Sequence, residues 1–173
     1  MPSTKLPRPH KSAVSTFYYV VFGVIEPLLT LASLLEAVLD PEKLINRHGP
    51  WKSDFKGAPG VPPVTAREIA CQIALAHAVI GLINASVLRA IRRLPSQASQ
   101  EKIAKSLFLP LAIGDVSYLF EVLYGTGNVR WKFGDWPRIN VIVGIGFFIP
   151  RVCWLLGIGR YVETRDSRLD RRN

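Results

Sequence analysis

Four stretches of the chain are apolar almost without interruption: residues 17–39, 69–91, 103–124 and 139–159, each about 20 residues long. That is the length a helix needs to cross a hydrocarbon core of ~30 Å. Between them the pattern breaks. Residues 40–68 carry Pro41, Pro50, Pro59, Pro62 and Pro63 with Gly49, Gly57 and Gly60, a density that excludes a long regular helix or strand. Residues 125–137 form a second interruption on the same side, with Trp131, Lys132, Asp135 and Trp136. The pattern predicts an all-α, integral membrane four-helix bundle. It divides the chain into an N-terminal tail (1–16), a four-span domain (17–160) and a basic C-terminal tail (161–173). The first stretch is too long for a signal-peptide core and lacks a small-residue cleavage site, so it is expected to stay as a helix.

Composition agrees with this reading. The chain has 173 residues, 49% of them hydrophobic, and a mean hydropathy of +0.20, more apolar than a soluble domain of this size usually is. Cys71 and Cys153 both fall within spans, without CxxC or Cys/His ligand spacing, and read as apolar packing residues. The net charge of +9 does not suggest nucleic acid, because the bases are dispersed over tails and loops. The two tails, counted with Arg160 at the end of the last span, and the second loop (Arg89, Arg92, Arg93, Lys102, Lys105) hold 13 Lys/Arg, against eight in the other two loops. By the positive-inside rule both termini face the cytoplasm, with the endoplasmic reticulum as the expected membrane. Trp51 and Phe55, interleaved with Lys52 and Lys56, are expected at the opposite interface.

Each span carries one ionisable group near its centre: Glu26, His77, Asp115 and Arg151. Such groups are expensive in hydrocarbon, roughly 2.5–3.5 kcal/mol each on insertion scales, and are functional candidates by default. Counted along their helices, the four are expected at one depth, facing inward, where opposite charges can pair. Asn84 shares a face with His77, Asn140 with Arg151, and Tyr118 lies one turn from Asp115. Three prolines accompany the layer: Pro27 follows Glu26, Pro150 precedes Arg151, and Pro110 lies about one turn before Asp115. Each frees a backbone carbonyl, which fits a pocket at that depth. Glu36 and Glu121, near the outer ends of their spans, are either interfacial charges or the mouth of that pocket.

Arg151 stays charged, and Asp115 or Glu26 is its natural bidentate partner. The remaining acid is then available to donate a proton and His77 to relay one. An acid in an apolar site suits olefin protonation, with Phe147, Tyr118 and Trp154 able to stabilise a carbocation. The alternative is a structural network that fixes the register of the helices. No metal, haem, nucleotide or nucleophile motif appears; VGIG and LGIG in the last span lack the context of a nucleotide site and read as close helix packing.

The stretches FYYVVFGVIEPLLTLASLLEAVLDPEKL, LFLPLAIGDVSYLFEVLY, WKFGDWPRIN and IPRVCWLLGIGR resemble a family of small fungal membrane proteins defined by a domain of unknown function. The resemblance covers most of residues 16–161, leaving out the first loop and the tails. Its matching positions are Glu26-Pro27, Asp115, Tyr118, Tyr124, Trp131, Asp135, Trp136, Asn140 and Arg151; His77 is not among them. It implies four helices and a fungal source but no settled activity. The architecture is also similar to that of the emopamil-binding superfamily of sterol isomerases and lipid-binding proteins, and some small fungal membrane proteins of secondary metabolism look like terpene cyclases.

The expected function is therefore a cofactor-free acid/base enzyme acting on an isoprenoid or sterol-like lipid, of terpene cyclase or isomerase type. Its catalytic candidates are Glu26, Asp115, His77 and Arg151, and Tyr118, Asn84, Asn140, Phe147 and Trp154 are expected to bind substrate. The expected partners are membrane lipids and a hydrophobic small molecule, with a homo-oligomer compatible and no metal or nucleic acid. The alternative is a non-catalytic lipid-binding or scaffold protein.

Overall fold

The computed structural model describes residues 12–48, 61–121, 124 and 136–162, and is helical without any strand among them. Five helices are present among the described residues: α1 (Thr16–Leu39), α2 (Pro41–His48), α3 (Val64–Arg92), α4 (Gln97–Phe120) and α5 (Trp136–Leu155). α1, α3 and α4 are long and apolar enough to cross a membrane by length and composition, and α5 contributes a shorter apolar helix, Ile139–Leu155. The expected four-helix count is corrected to five. Most of the proline-rich first loop, the expected interfacial Trp51 and Phe55, the loop residues Trp131, Lys132 and Asp135, and both outer tails lie outside the described residues.

The additional helix, α2, has a start signal that proline density hides. Asp40 precedes it, and its Oδ1 accepts a hydrogen bond from the Lys43 backbone N–H at 2.9 Å. Pro41 occupies the first helical position, where a missing N–H loses nothing. Leu44 then packs with Ala37 and Ala74 in a small apolar cluster beneath α2, and the Cys71 thiol donates to the Ala37 carbonyl at 3.2 Å, so Cys71 does pack as expected.

α1 is continuous but irregular, because Val21–Ile25 winds as a π-turn immediately before Glu26 and Pro27. A proline ring opposes the carbonyl four residues earlier and supplies no N–H, and a locally wider helix relieves both problems. α5 ends differently. Ile158 N donates to Cys153 O and Gly157 N to Trp154 O, a Schellman pair closed by Gly157 at φ +80°. LGIG is thus a helix terminator and not a packing motif. In VGIG, Gly144 does lie under the side chains of Leu119 and Tyr118.

The helices stack their contents in strata along the axis. At one end, Ser12 bonds Gln100, Tyr161 N donates to Ser12 O, and the Trp154 indole donates to Ala13 O at 2.8 Å. The chain before α1, the α3–α4 turn and the segment after α5 therefore meet. Below that cap lies the main core of Val14, Tyr18, Phe22, Leu88, Ile91, Ala104, Phe108 and Trp154. The Phe108 and Trp154 rings meet edge-on with centroids 4.8 Å apart.

α1 and α3 approach closely where the proline kink meets Gly81. A Cβ built on Gly81 collides with Thr30 Oγ1 and comes within 3.2 Å of Pro27 Cα, while Thr30 is held by its own bond to the Pro27 carbonyl. Gly81→Ala is expected to lower stability by about 1–3 kcal/mol through overpacking, and Thr30→Ala should restore part of it in the double variant. Thermal unfolding in detergent micelles measures both; an unchanged Gly81→Ala midpoint would refute the close contact.

Candidate functional site

Below the aromatic core, one to two turns further along each helix, four helices contribute one polar group each. Arg151 of α5 is the hub, 1% exposed. Its Nη1 donates to Asp115 Oδ2 of α4, and its Nη2 to both carboxylate oxygens of Glu26 of α1, at 2.9 and 2.8 Å. Asn84 of α3, also buried, donates its Nδ2 to Glu26 Oε2 at 3.0 Å. The guanidinium lies 4.7 Å from the centroid of the Phe22 ring, so an aromatic face covers the charge where carboxylates do not.

The local sequence explains why these groups meet. Phe22 and Glu26 are four residues apart across the π-turn, so ring and carboxylate approach Arg151 from one face of α1. Asp115 and Arg151 follow Pro110 and Pro150 in helices that contain those prolines internally. Buried polar groups of this kind must be paired to be tolerated. Two atoms stay without a hydrogen-bond partner among the described residues, Arg151 Nε and Asn84 Oδ1.

The expected layer is thus present, with two differences. Arg151 engages Glu26 and Asp115 together, instead of pairing with one and leaving the other over. The α3 member is Asn84, not His77. α3 runs opposite to α1, and the residue level with Glu26 is Asn84; His77 is seven residues away, about 10 Å along the axis.

His77 is exposed and belongs to a second feature, a surface cleft of about 560 Å³ on the other side of the charged layer. Leu44, Ile45, Ile69 and Ile73 form apolar walls, and Ser33, His77, Tyr118, Glu121 and Asn140 supply polar groups. Each of four helices carries residues of both features: Ser33 is seven residues from Glu26, His77 seven from Asn84, Tyr118 three from Asp115 and Asn140 eleven from Arg151. Of the expected binding residues, Tyr118 and Asn140 line the cleft and Asn84 joins the charged layer. Phe147 packs against the core, and Trp154 is buried under the cap.

One buried charge escaped the sequence reading. Arg160, counted there with the tail, is 3% exposed. Its Nε donates to the Trp154 carbonyl at 2.7 Å, its Nη1 pairs with Glu101 at 3.0 Å, and it lies 4.1 Å from the Trp154 ring centroid. It caps α5, where a cation is favoured by the free carbonyls and the helix dipole. The signal was the glycine pair ending the apolar run, which turns the following residue back onto the helix end.

Arg151→Leu is expected to cost about 3–5 kcal/mol because two half-buried carboxylates lose their partner. Arg151→Lys should recover only a minor part, since a point charge lacks the planar fork that reaches both acids. Unfolding midpoints of the purified variants decide this; a Lys variant as stable as the parent would show that charge alone suffices.

No curated protein and no solved structure matches this chain. A family model matches residues 11–161, from the edge of the cap segment before α1 to the edge of the cap segment after α5, and it includes the first loop that the resemblance left out. The chain belongs to the family described as a domain of unknown function, DUF7704.

Proposed function

We propose that the protein is a multi-pass membrane protein that holds an apolar, lipid-like molecule in the cleft beside α2, with the Arg151 network fixing the helices around it. The cleft carries this reading. Its volume of about 560 Å³ is in the range of small-molecule sites, and apolar walls with a few polar groups are what such sites present. Membrane insertion of α1, α3 and α4 is supported by their apolar exteriors, since only 17%, 28% and 17% of their apolar windows are buried inside the protein, and α5 likewise exposes Ile142, Val143, Ile145 and Ile149. Both described ends of the chain share one end of the bundle with the basic α3–α4 turn, which favours a cytosolic location for that end, and the endoplasmic reticulum is the proposed membrane.

A second reading, an acid/base enzyme for an isoprenoid or sterol-like substrate, is favoured by one observation. His77, Tyr118 and Glu121 line the same apolar cleft, so proton donors and acceptors stand beside the place where a hydrocarbon would lie. In this reading His77 and Glu121 carry the proton chemistry, because Arg151 already engages Glu26 and Asp115. The similarity to the emopamil-binding superfamily, and a fungal source in secondary metabolism, belong to this reading.

Mass spectrometry of molecules co-purified with the full chain tests the first reading. The wild type is expected to retain an apolar small molecule, and Ala70→Phe, which fills the cleft wall, to lose it while keeping its thermal midpoint within a few degrees. Equal retention by both would overturn the assignment of the cleft. Metabolite profiles of the source organism lacking the gene separate the two readings. If His77→Ala fails to clear an accumulating unisomerised isoprenoid that wild type clears, the enzyme stands; unchanged profiles remove it.

A further inference from the structure

Among the described residues, the two ends of the bundle differ in charge. Among the described residues, the end with α2 carries Glu36, Asp40, Glu42, Glu68 and Glu121 against Lys43 and Arg67, and Arg67 pairs with Glu42 at 3.0 Å. The other end, around the α3–α4 turn, carries Arg89, Arg92, Arg93, Lys102, Lys105 and Arg160 with one acid, Glu101. That acid is turned inward to the buried Arg160, so it does not offset the surface cations. Arg89, Arg92, Arg93, Lys102 and Lys105 are all exposed.

These cations sit where apolar surface begins. Ile103 is exposed between Lys102 and Lys105, and Leu82, Ile83 and Leu109 are exposed a few turns further along the same two helices. Arg92 lies 4.5 Å from the centroid of the Tyr19 ring, an aromatic and cation pair of the kind that occupies the boundary between hydrocarbon and water. A basic patch made for nucleic acid is not expected to run directly into a belt of exposed isoleucine and leucine. A headgroup layer meets both requirements, with phosphates at the level of the cations and acyl chains against the apolar belt.

We propose that the α3–α4 turn is a binding site for anionic phospholipid headgroups, with Arg89, Arg93, Lys102 and Lys105 as the contacting cations and Arg92 held at the rim by Tyr19. The site rests on the membrane reading above and is separate from the cleft. Its role is to select the lipids around the cytosolic end of the bundle.

The test is native mass spectrometry of the full chain released from nanodiscs of equimolar phosphatidylserine and phosphatidylcholine. Wild type is expected to retain phosphatidylserine over phosphatidylcholine by roughly fivefold or more, given the attraction each basic residue feels near an anionic surface. The variant Arg89→Gln/Arg93→Gln/Lys102→Gln/Lys105→Gln, which leaves Arg92 and Arg160 in place, should return to the bulk ratio, and Arg67→Gln at the opposite end should keep the enrichment. Circular dichroism and elution volume establish that the variants are folded. A wild type at the bulk ratio, or a quadruple variant that keeps the enrichment, overturns the proposal. Failure of the chain to enter nanodiscs overturns the membrane reading itself, and is seen before any lipid ratio is measured.

Discussion

The structure depends on one guanidinium holding two carboxylates. Arg151 binds Glu26 and Asp115 at once, so α1, α4 and α5 are fixed to one another at a single level, and Asn84 brings α3 to the same point. Such a cluster is weak evidence of net stability, because desolvating three ionisable groups consumes much of the attraction among them. Its strength is in specificity. In apolar surroundings every other register leaves a charge without its partner, and that penalty is much larger than the gain from any alternative packing of leucines and valines.

This constraint orders what lies on either side of it. Toward the chain ends, Phe22, Phe108 and Trp154 form a dense aromatic core closed by the cap of Ser12, Gln100 and Arg160. Toward α2 the helices leave a cleft, and the charged layer closes the bundle beyond it. A rigid charged layer beneath an apolar cleft is a sound base for a binding site, since side chains one or two turns away inherit its fixed geometry. The irregular backbone serves the same end: the π-turn before Pro27 brings Phe22 and Glu26 onto Arg151, and Gly81 lets α3 approach that kink.

Much of this was legible in the sequence, for identifiable reasons. Apolar runs located α1, α3, α4 and α5 with end points up to six residues off, and the rarity of charge inside them singled out Glu26, Asp115 and Arg151. Composition could not reveal that one arginine takes both acids, because pairing depends on how the helices rotate. His77 was placed in the layer because an ionisable residue outranks an amide in sequence, whereas in the structure the amide of Asn84 is the one level with Glu26. α2 was hidden by the prolines around it, although Asp40-Pro41 is a good helix start. Arg160 was hidden by position, since a base after the last apolar run resembles a tail charge until Gly157 and Gly159 turn it back onto Trp154.

The most direct test of the central claim is rescue of a broken network, measured as the unfolding midpoint of the full chain in one detergent. If Arg151 is needed because two half-buried carboxylates require a cation, Arg151→Leu should be severely destabilised, and adding Glu26→Gln with Asp115→Asn should restore most of the loss. A triple variant as unstable as Arg151→Leu alone, or less stable, would contradict it and assign Arg151 a role independent of the two acids.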